Sequence, residues 1–264
     1  MTDTALPPAR RPGPRAWAAL VAAEGQMVVR DTAGLVIPLG LPLLTLVMHG
    51  LGTTGASEPG DAPDPAQAAA IFERYVVPLV LTLVIATIGV VNMPSFLAYY
   101  RRTHVLRRLA VTPANPGMIL AAQVVVSVLQ SAVGIALGVA AATAWFGVGA
   151  PARPGAALAV LGLAAAAMYA LGMLVAAVAP SGNAAVAIGL TVFFALGATG
   201  GMFGPVSNLP RPVAAVGEAL PFGAAVDAVG RAWAGLPQDP ANLLALAAAV
   251  LVCGAVAVKA FRWN

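Results

Sequence analysis

The sequence is poor in charge, cysteine and histidine, and each shortage excludes a class of function. Only 9% of the 264 residues are charged, whereas soluble domains carry roughly a quarter, so a soluble globular protein is excluded. Cys253 is the single cysteine, which rules out a disulfide framework or a thiolate metal cluster within one chain. The two histidines, His49 and His104, belong to different hydrophilic segments and form no His-Glu-x-x-His zinc motif.

Catalytic and nucleotide-binding motifs are missing as well. A phosphate-binding loop needs Gly-Lys followed by Ser or Thr, but the one lysine, Lys259, stands between Val258 and Ala260. The Gly-x-Ser-x-Gly motif of serine hydrolases is also absent. We therefore expect a chain that is not an enzyme, binds no cofactor or metal, and takes any energy of ATP from another polypeptide. The net charge of +4 is spread over several loops, which argues against nucleic-acid binding.

What the sequence has in abundance is apolar length. Hydrophobic residues make up 60% of the chain, the mean hydropathy is +0.88, and a membrane-spanning helix needs about 20 such residues. Six segments qualify: 32–51, 76–97, 118–146, 155–179, 183–203 and 243–261. The prediction is an all-α polytopic membrane protein with six transmembrane helices. We expect one membrane domain, residues 15–264, after a disordered cytoplasmic tail, residues 1–14.

The distribution of basic residues predicts the orientation. If the N-terminus is cytoplasmic, four of the fourteen basic residues fall on the outer side and the other ten on the inner side; the outer four are Arg74, Arg153, Arg211 and Arg231. Because cytoplasmic loops carry the excess of Arg and Lys, both termini are predicted to be cytoplasmic. Abundant Ala, Gly and Arg favour a bacterial plasma membrane.

The segment 15–30 predicts an amphipathic helix lying on the inner membrane surface. Trp17 lies on the apolar face, and Arg15 and Arg30 lie on the opposite face. Glu24 breaks the pattern, because it projects from the apolar face. Either it pairs with an arginine of another segment, or the helix is only partly immersed.

The outer segment 204–231 predicts a helical hairpin. Prolines interrupt it, and the apolar stretches 213–220 and 222–229 are each too short to span a bilayer. A pair of re-entrant helices before the last span fits this pattern. The alternative is an ordinary surface loop.

The third span carries four polar residues on one face: Gln123, Ser127, Gln130 and Ser131. Two roles are open for them. They line a translocation path, or they form hydrogen bonds with neighbouring helices. Since the predicted spans from the second to the fifth contain no Asp, Glu, Lys, Arg or His, an ion-coupled carrier is disfavoured. An amphipathic or lipid-like cargo suits such a path better than a sugar phosphate or a metal ion.

A basic island joins the second and third spans. Four arginines fall within eight residues between Arg101 and Arg108. Topology explains part of this clustering. The other explanation is that the island forms a short helix, with Thr103 at its N-cap, and that a soluble partner binds this helix.

Together these features resemble the permease subunit of an ABC-2 type transporter, and are similar to daunorubicin-type permeases of the drug-exporter branch. Three patterns carry the resemblance: Arg30-Asp31 with Pro38 and Pro42, the basic island continued through Thr112-Pro113, and Gly201-Met202-Phe203 with Leu220-Pro221 and Asp227. Where the family usually has an acidic residue and a glycine, this chain has Arg102 and His104, which makes its island unusually basic.

The resemblance implies a coupling helix, at about 103–110, that docks into a separate ABC ATPase subunit holding ATP and Mg²⁺. The implied docking residues are Arg101, Arg102, Thr103, His104, Val105, Leu106, Arg107, Arg108 and Leu109. It also implies a second permease copy, identical or different, and export of a hydrophobic or amphipathic small molecule. The competing hypotheses are an anchoring or assembly protein, whose island binds anionic lipid or a cytoplasmic partner, and the less favoured ion-coupled carrier.

Overall fold

A computed structural model describes residues 13–55, 65–102 and 116–260, and all regular structure within them is helical. Six helices are long and apolar enough to cross a membrane, which confirms the predicted all-α, six-span architecture. The helices before the hairpin are α1 (Pro14–Arg30), α2 (Thr32–Gly55), α3 (residues 65–102), α4 (Pro116–Phe146), α5 (Pro154–Val178) and α6 (Gly182–Thr199). They are followed by α7 (Arg211–Ala219), α8 (Pro221–Trp233) and α9 (Pro240–Ala260).

The second span, α3, is the axis of the bundle. It is a continuous helix with two π-helical turns, Phe72–Val76 and Thr87–Asn92. The most apolar 18-residue stretch of α3 is fully buried inside the chain, whereas 17% of the corresponding stretch of α9 is buried. Helices α2, α4, α5, α6 and α8 pack around α3. Of these, α2, α4, α5 and α6 present their remaining apolar surface outward, as helices in contact with lipid do.

Glycines allow a close approach of backbones at the second π turn. A Cβ atom on Gly172 of α5 would overlap the carbonyl oxygen of Gly89, and one on Gly189 of α6 would lie 2.6 Å from the carbonyl oxygen of Val90. Small residues at such crossings let helices pack by van der Waals contact where no hydrophobic effect drives them together. The three helices are therefore held at a separation that larger side chains would not permit.

The second span begins earlier than the hydropathy pattern predicts. We expect it to start at residue 76, but the helix runs from Pro65 and includes Glu73 and Arg74. Both charged side chains have partners in the bundle: Glu73 Oε1 accepts a hydrogen bond from the amide of Gly149 at 3.3 Å, and Arg74 pairs with Asp227 at 2.6 Å. Because Arg74 is paired with an opposite charge and Glu73 has a hydrogen-bond donor, the helix does not have to end before them.

The outer segment forms a helical hairpin, as the prolines predict. Helices α7 and α8 meet at an angle of 77° around Leu220. Helix α8 is mostly buried against α3, α5 and α9, while α7 is mostly exposed. The fifth span ends at Thr199, short of the predicted residue 203, because a turn follows in which Gly201 has a φ of +96°, a conformation that favours glycine.

The bundle has two polar ends. The α1 end is where α1 meets the C-terminus of α3 and the N-terminus of α4; the hairpin end is where α7 and α8 meet the N-termini of α3 and α9. Residues 1–12, 56–64, 103–115 and 261–264 lie outside the described residues. Most of the predicted tail, 1–14, and the predicted coupling helix, 103–110, fall in these ranges.

Candidate functional site

At the α1 end, a buried pair ties α1 to the last turns of α3. The hydroxyl of Tyr100 donates a hydrogen bond to Glu24 Oε2 at 2.5 Å, and both residues are almost fully buried. Glu24 therefore meets a tyrosine hydroxyl on the apolar face of α1. Burial raises the pKa of Glu24 above its ordinary value, and the hydrogen bond from Tyr100 partly opposes this shift.

Apolar contacts reinforce this pair on both sides of the junction. Tyr100 and Ile119 form a small core with Leu20 and Met27 of α1. A second core contains one residue from each helix, Val28 of α1, Phe96 of α3 and Val126 of α4. Helix α1 is thus packed across the C-terminus of α3 and the N-terminus of α4.

The other predicted residues of α1 follow the amphipathic pattern. Trp17 is half-buried and Arg30 is exposed. A hydrophobic indole and a charged guanidinium on opposite faces suit a helix at a membrane surface.

The predicted coupling helix is attached at both ends to this junction. Helix α3 ends at Arg102, so the backbone of Arg101 and Arg102 forms its last turn, and α4 begins at Pro116. The remaining predicted docking residues, Thr103, His104, Val105, Leu106, Arg107, Arg108 and Leu109, lie outside the described residues. Their role in docking stays a prediction.

Three of the four polar residues of the third span form hydrogen bonds with neighbouring helices, Ser127 through its main-chain carbonyl. Gln123, Ser127 and Ser131 are buried within the chain. Ser131 Oγ lies 2.7 Å from the hydroxyl of Tyr169 on α5, which donates a hydrogen bond to the carbonyl oxygen of Ser127 at 3.0 Å. These contacts are hydrogen bonds between helices, and a role in the translocation path stays a prediction.

The neighbouring amides show the same kind of contact. Gln130 Nε2 donates to the carbonyl oxygen of Gly34 at 2.8 Å, and Asn92 Nδ2 donates to the same oxygen at 2.6 Å. That carbonyl lies in the first turn of α2, four residues before Pro38, which has no amide hydrogen to offer it. Gln123 Oε1 is buried without a hydrogen-bond partner among the described residues.

At the hairpin end, Asp227 of α8 joins three helices. Its Oδ1 accepts a hydrogen bond from Arg74 Nη2 of α3 at 2.6 Å, and its Oδ2 accepts from Arg231 Nε and from Asn242 Nδ2 of α9, each at 2.7 Å. Burial acts to raise the pKa of Asp227, but the hydrogen bonds from Arg231, Arg74 and Asn242 outweigh it and lower the pKa below its ordinary value. The carboxylate is therefore held ionised.

Further hydrogen bonds fix the hairpin to the rest of this end. The hydroxyl of Tyr75 donates to the carbonyl oxygen of Gly201. The indole Nε1 of Trp233 donates to the carbonyl oxygen of Gly149 at 3.1 Å, and the amide of Ala152 donates to the carbonyl oxygen of Trp233 at 3.0 Å. Trp233 is buried, so its indole contributes to the packing of this end as well as donating this hydrogen bond.

A cavity of about 830 Å³ opens at the hairpin end. Its walls come from the first turns of α3, the turn after α6, both hairpin helices and the start of α9. The residues that line it are Gln67, Ala70, Ile71, Arg74, Tyr75, Gly200, Pro205, Val206, Ser207, Glu218, Gly223, Val226, Asp227, Arg231, Asp239 and Asn242. The volume is in the range of small-molecule sites.

The hairpin network was the part of the site least visible in the sequence. The sequence indicates Arg74 only as a basic residue of the outer side and Asp227 only as part of the family pattern. The two are 153 residues apart, and no spacing rule connects them. The described residues contain no group of three His, Cys, Asp or Glu side chains that is able to hold a metal ion.

Comparison with known proteins identifies the family. A family model described as ABC-2 type transporter matches residues 15–231, from the first turn of α1 to Arg231 in α8. A comparison with curated proteins gave no match. The matched region holds α1, five of the six spans and the hairpin, in the order described above. The chain therefore belongs to the ABC-2 type transporter family, and it is a multi-pass membrane permease subunit of an ABC transporter, a kind of transporter that works with an ATPase partner.

Proposed function

We propose that this permease subunit moves a hydrophobic or amphipathic small molecule, such as an antibiotic, drug or lipid, out of a bacterial cell. A separate ABC ATPase, which holds ATP and Mg²⁺, supplies the energy. A second permease copy completes the membrane part. In this proposal the α1 end is cytoplasmic, both termini lie on that side, and the hairpin end faces outward.

The observation that carries the proposal is the junction at the α1 end. Helix α1 is bonded to α3 through Tyr100 and Glu24, and it packs on α4 around Ile119 and Val126. These contacts lie next to the two helix ends from which residues 103–115 emerge. A force applied to the coupling segment by an ATPase would therefore act on α1, α3 and α4 together.

Rigid-body motion of such packed units is a common way to convert a local change into a global one. Helix α3 is buried from residue 76 to residue 94, so a displacement at its Tyr100 end is transmitted to the hairpin end, where Arg74 contacts Asp227. The path between two permease copies opens in this way when the ATPase subunits close.

The composition of the spans supports the cargo class. Residues 77–97 of α3 contain no Asp, Glu, Lys, Arg or His, and neither do helices α4, α5 and α6. A path of this kind offers no fixed charge to a multiply charged solute. A molecule with a large apolar surface crosses it at lower cost.

The proposed docking of the coupling helix is tested by measuring whether the permease co-purifies with the ATPase. We expect the double variant Leu106→Asp and Leu109→Asp to insert in the membrane normally but to lose co-purification of the ATPase, because two carboxylates would replace the apolar anchors of the docking helix. The matched control is Leu236→Asp, an exposed leucine between α8 and α9 at the opposite end of the bundle; this variant should retain the ATPase.

The proposal also predicts transport. Vesicles containing the wild-type permease and its ATPase should accumulate a hydrophobic dye in an ATP-dependent manner, and the double variant should not. Unchanged association and transport in the double variant would reject the docking helix. Recovery of the permease without any ATPase from several mild detergents would favour the anchoring hypothesis instead.

A further inference from the structure

The cavity at the hairpin end has a chemical character that points to its ligand. We propose that it binds an amphipathic ammonium: a positively charged amine or quaternary nitrogen carried on an apolar body. This site goes beyond the export proposal, since it lies within one subunit and its occupation requires neither the ATPase nor a second permease copy.

The charges of the cavity wall favour a cation. Four of the five charged residues in the wall neutralise one another: Arg74 and Arg231 both bond to Asp227, and Arg231 also lies 3.9 Å from Asp239. The fifth, Glu218, forms no ion pair with any described residue. Two arginines and three carboxylates thus leave one negative charge, and it resides on Glu218.

The arginines are poorly placed to attract an anion instead. Arg74 uses both terminal nitrogens on Asp227, one on the carboxylate and one on the main-chain carbonyl oxygen at 3.1 Å. Arg231 uses Nε on Asp227 and Nη1 on the carbonyl oxygen of Pro237 at 3.2 Å. An anion would have to compete with these bonds and would also be repelled by Glu218.

The remaining surface of the cavity suits an apolar body. Ala70, Ile71, Val206 and Val226 are part of its wall, and Ile71 is a large apolar side chain that is 40% exposed. Pockets that combine apolar walls with a few placed polar groups are the usual form of small-molecule sites. Here the apolar wall provides affinity and Glu218 selects the sign of charge.

Two sources of the ligand share this chemistry: a free amphipathic cation, and a membrane lipid with an ammonium headgroup. The experiment measures binding to the purified full-length permease in neutral detergent by fluorescence anisotropy. The cationic probe is ethidium, and the anionic probe is anilinonaphthalene sulfonate, which is of comparable size.

We expect the wild-type protein to bind ethidium and Glu218→Gln to bind it about two- to fivefold more weakly, the effect of one partly solvated opposite charge. The charge control is Glu73→Gln, which removes a nearby carboxylate that is not in the wall of the cavity and should leave the affinity unchanged. The anionic probe should not lose affinity in Glu218→Gln.

A second pair of variants tests the volume. Ala70→Trp places a large side chain at an exposed position in the wall and should abolish ethidium binding, whereas Ala215→Trp, on the exposed face of α7 and outside the wall, should not. Loss of ethidium affinity on addition of phosphatidylethanolamine would identify a lipid headgroup as the occupant, and unchanged affinity would identify a free cation. Equal ethidium affinity in the wild type, Glu218→Gln and Ala70→Trp would overturn the proposal.

Discussion

The hydroxyl of Tyr100 donates a hydrogen bond to the Oε2 of Glu24 at 2.5 Å, across the junction between α1 and α3. Both side chains are buried, so water does not replace this bond when it is lost. The pair also fixes where α1 lies relative to the helix ends that flank residues 103–115.

The pH dependence of stability should report on Glu24. Because its pKa is raised in the folded protein, its contribution to stability is fully present below the ordinary value of 4.5 and is lost as the pH rises through the raised pKa. We expect Glu24→Gln, which cannot ionise, to unfold at a higher temperature than the wild type at neutral pH. Melting curves at a series of pH values should show the two proteins converging in acid; parallel curves would contradict the prediction.

Removing the hydroxyl of Tyr100, the donor of the same pair, should lower the stability of the protein. Tyr100→Phe leaves the buried carboxyl of Glu24 without this hydrogen bond, and we expect a loss of about 1–3 kcal/mol in unfolding free energy. Thermal unfolding in detergent measures the effect. In the Glu24→Gln background the cost should be smaller, because a neutral amide needs the donor less than a carboxylate does.

The ion pair between Arg74 and Asp227 should appear as a coupling energy. Each side chain is about a third exposed, so solvent screening limits the pair to about 1 kcal/mol. We expect Arg74→Met and Asp227→Asn each to lower stability, and the double variant to lose less than the sum of the two. Glu218→Gln is a suitable control, since that carboxylate has no ion pair among the described residues. Strict additivity would argue that the two residues act separately.

Gly230 should tolerate no side chain. A Cβ atom there would overlap the main-chain carbonyl oxygen of Arg74, so Gly230→Ala must push α8 away from α3. We expect a loss of about 1–3 kcal/mol, typical of overpacking. The control is Gly162→Ala in α5, where nothing lies within 4 Å of the added atom and alanine is the better helix former. Similar melting temperatures for the two variants would contradict this prediction.

Ser131 and Tyr169 should act as packing partners. We expect Ser131→Ala to cost about 1 kcal/mol and Tyr169→Phe to cost more, because it also removes the hydrogen bond to the carbonyl oxygen of Ser127. The double variant should cost little more than Tyr169→Phe alone, because both changes remove the same 2.7 Å contact. Melting curves and dye transport should be measured side by side. A changed range of transported dyes with an unchanged melting temperature would assign these residues to the translocation path.

The sequence predicts the helices of this protein well, because bilayer thickness and proline placement act locally. Hydropathy locates all six spans, and the prolines locate the bend between α7 and α8. The errors concern the ends of the spans, where a residue from another helix or loop contacts a side chain that would otherwise end the span. The second span includes Glu73 and Arg74, since the amide of Gly149 donates a hydrogen bond to Glu73 and the carboxylate of Asp227 pairs with Arg74.

The candidate site is harder to predict from the sequence than the helices are, because its contacts join residues that are far apart in the chain. The basic island is visible as a run of arginines. In contrast, the pairing of Glu24 with Tyr100 and of Arg74 with Asp227 depends on which helix faces lie together in the bundle. Periodicity shows that Glu24 projects from the apolar face of α1, but it does not identify the hydroxyl that it meets.

The burial of α3 has a consequence for the order in which the protein is made. Helix α3 leaves the ribosome second among the spans, yet α5, α6 and α8, which surround it, are synthesised afterwards. A nascent chain that has not reached residue 227 has no carboxylate to offer Arg74, and its most apolar helix has no protein neighbours on those sides. Assembly of the bundle in the membrane therefore requires the final third of the chain. A truncation before the hairpin leaves α3, which is inserted much earlier, without the helix α8 that covers it.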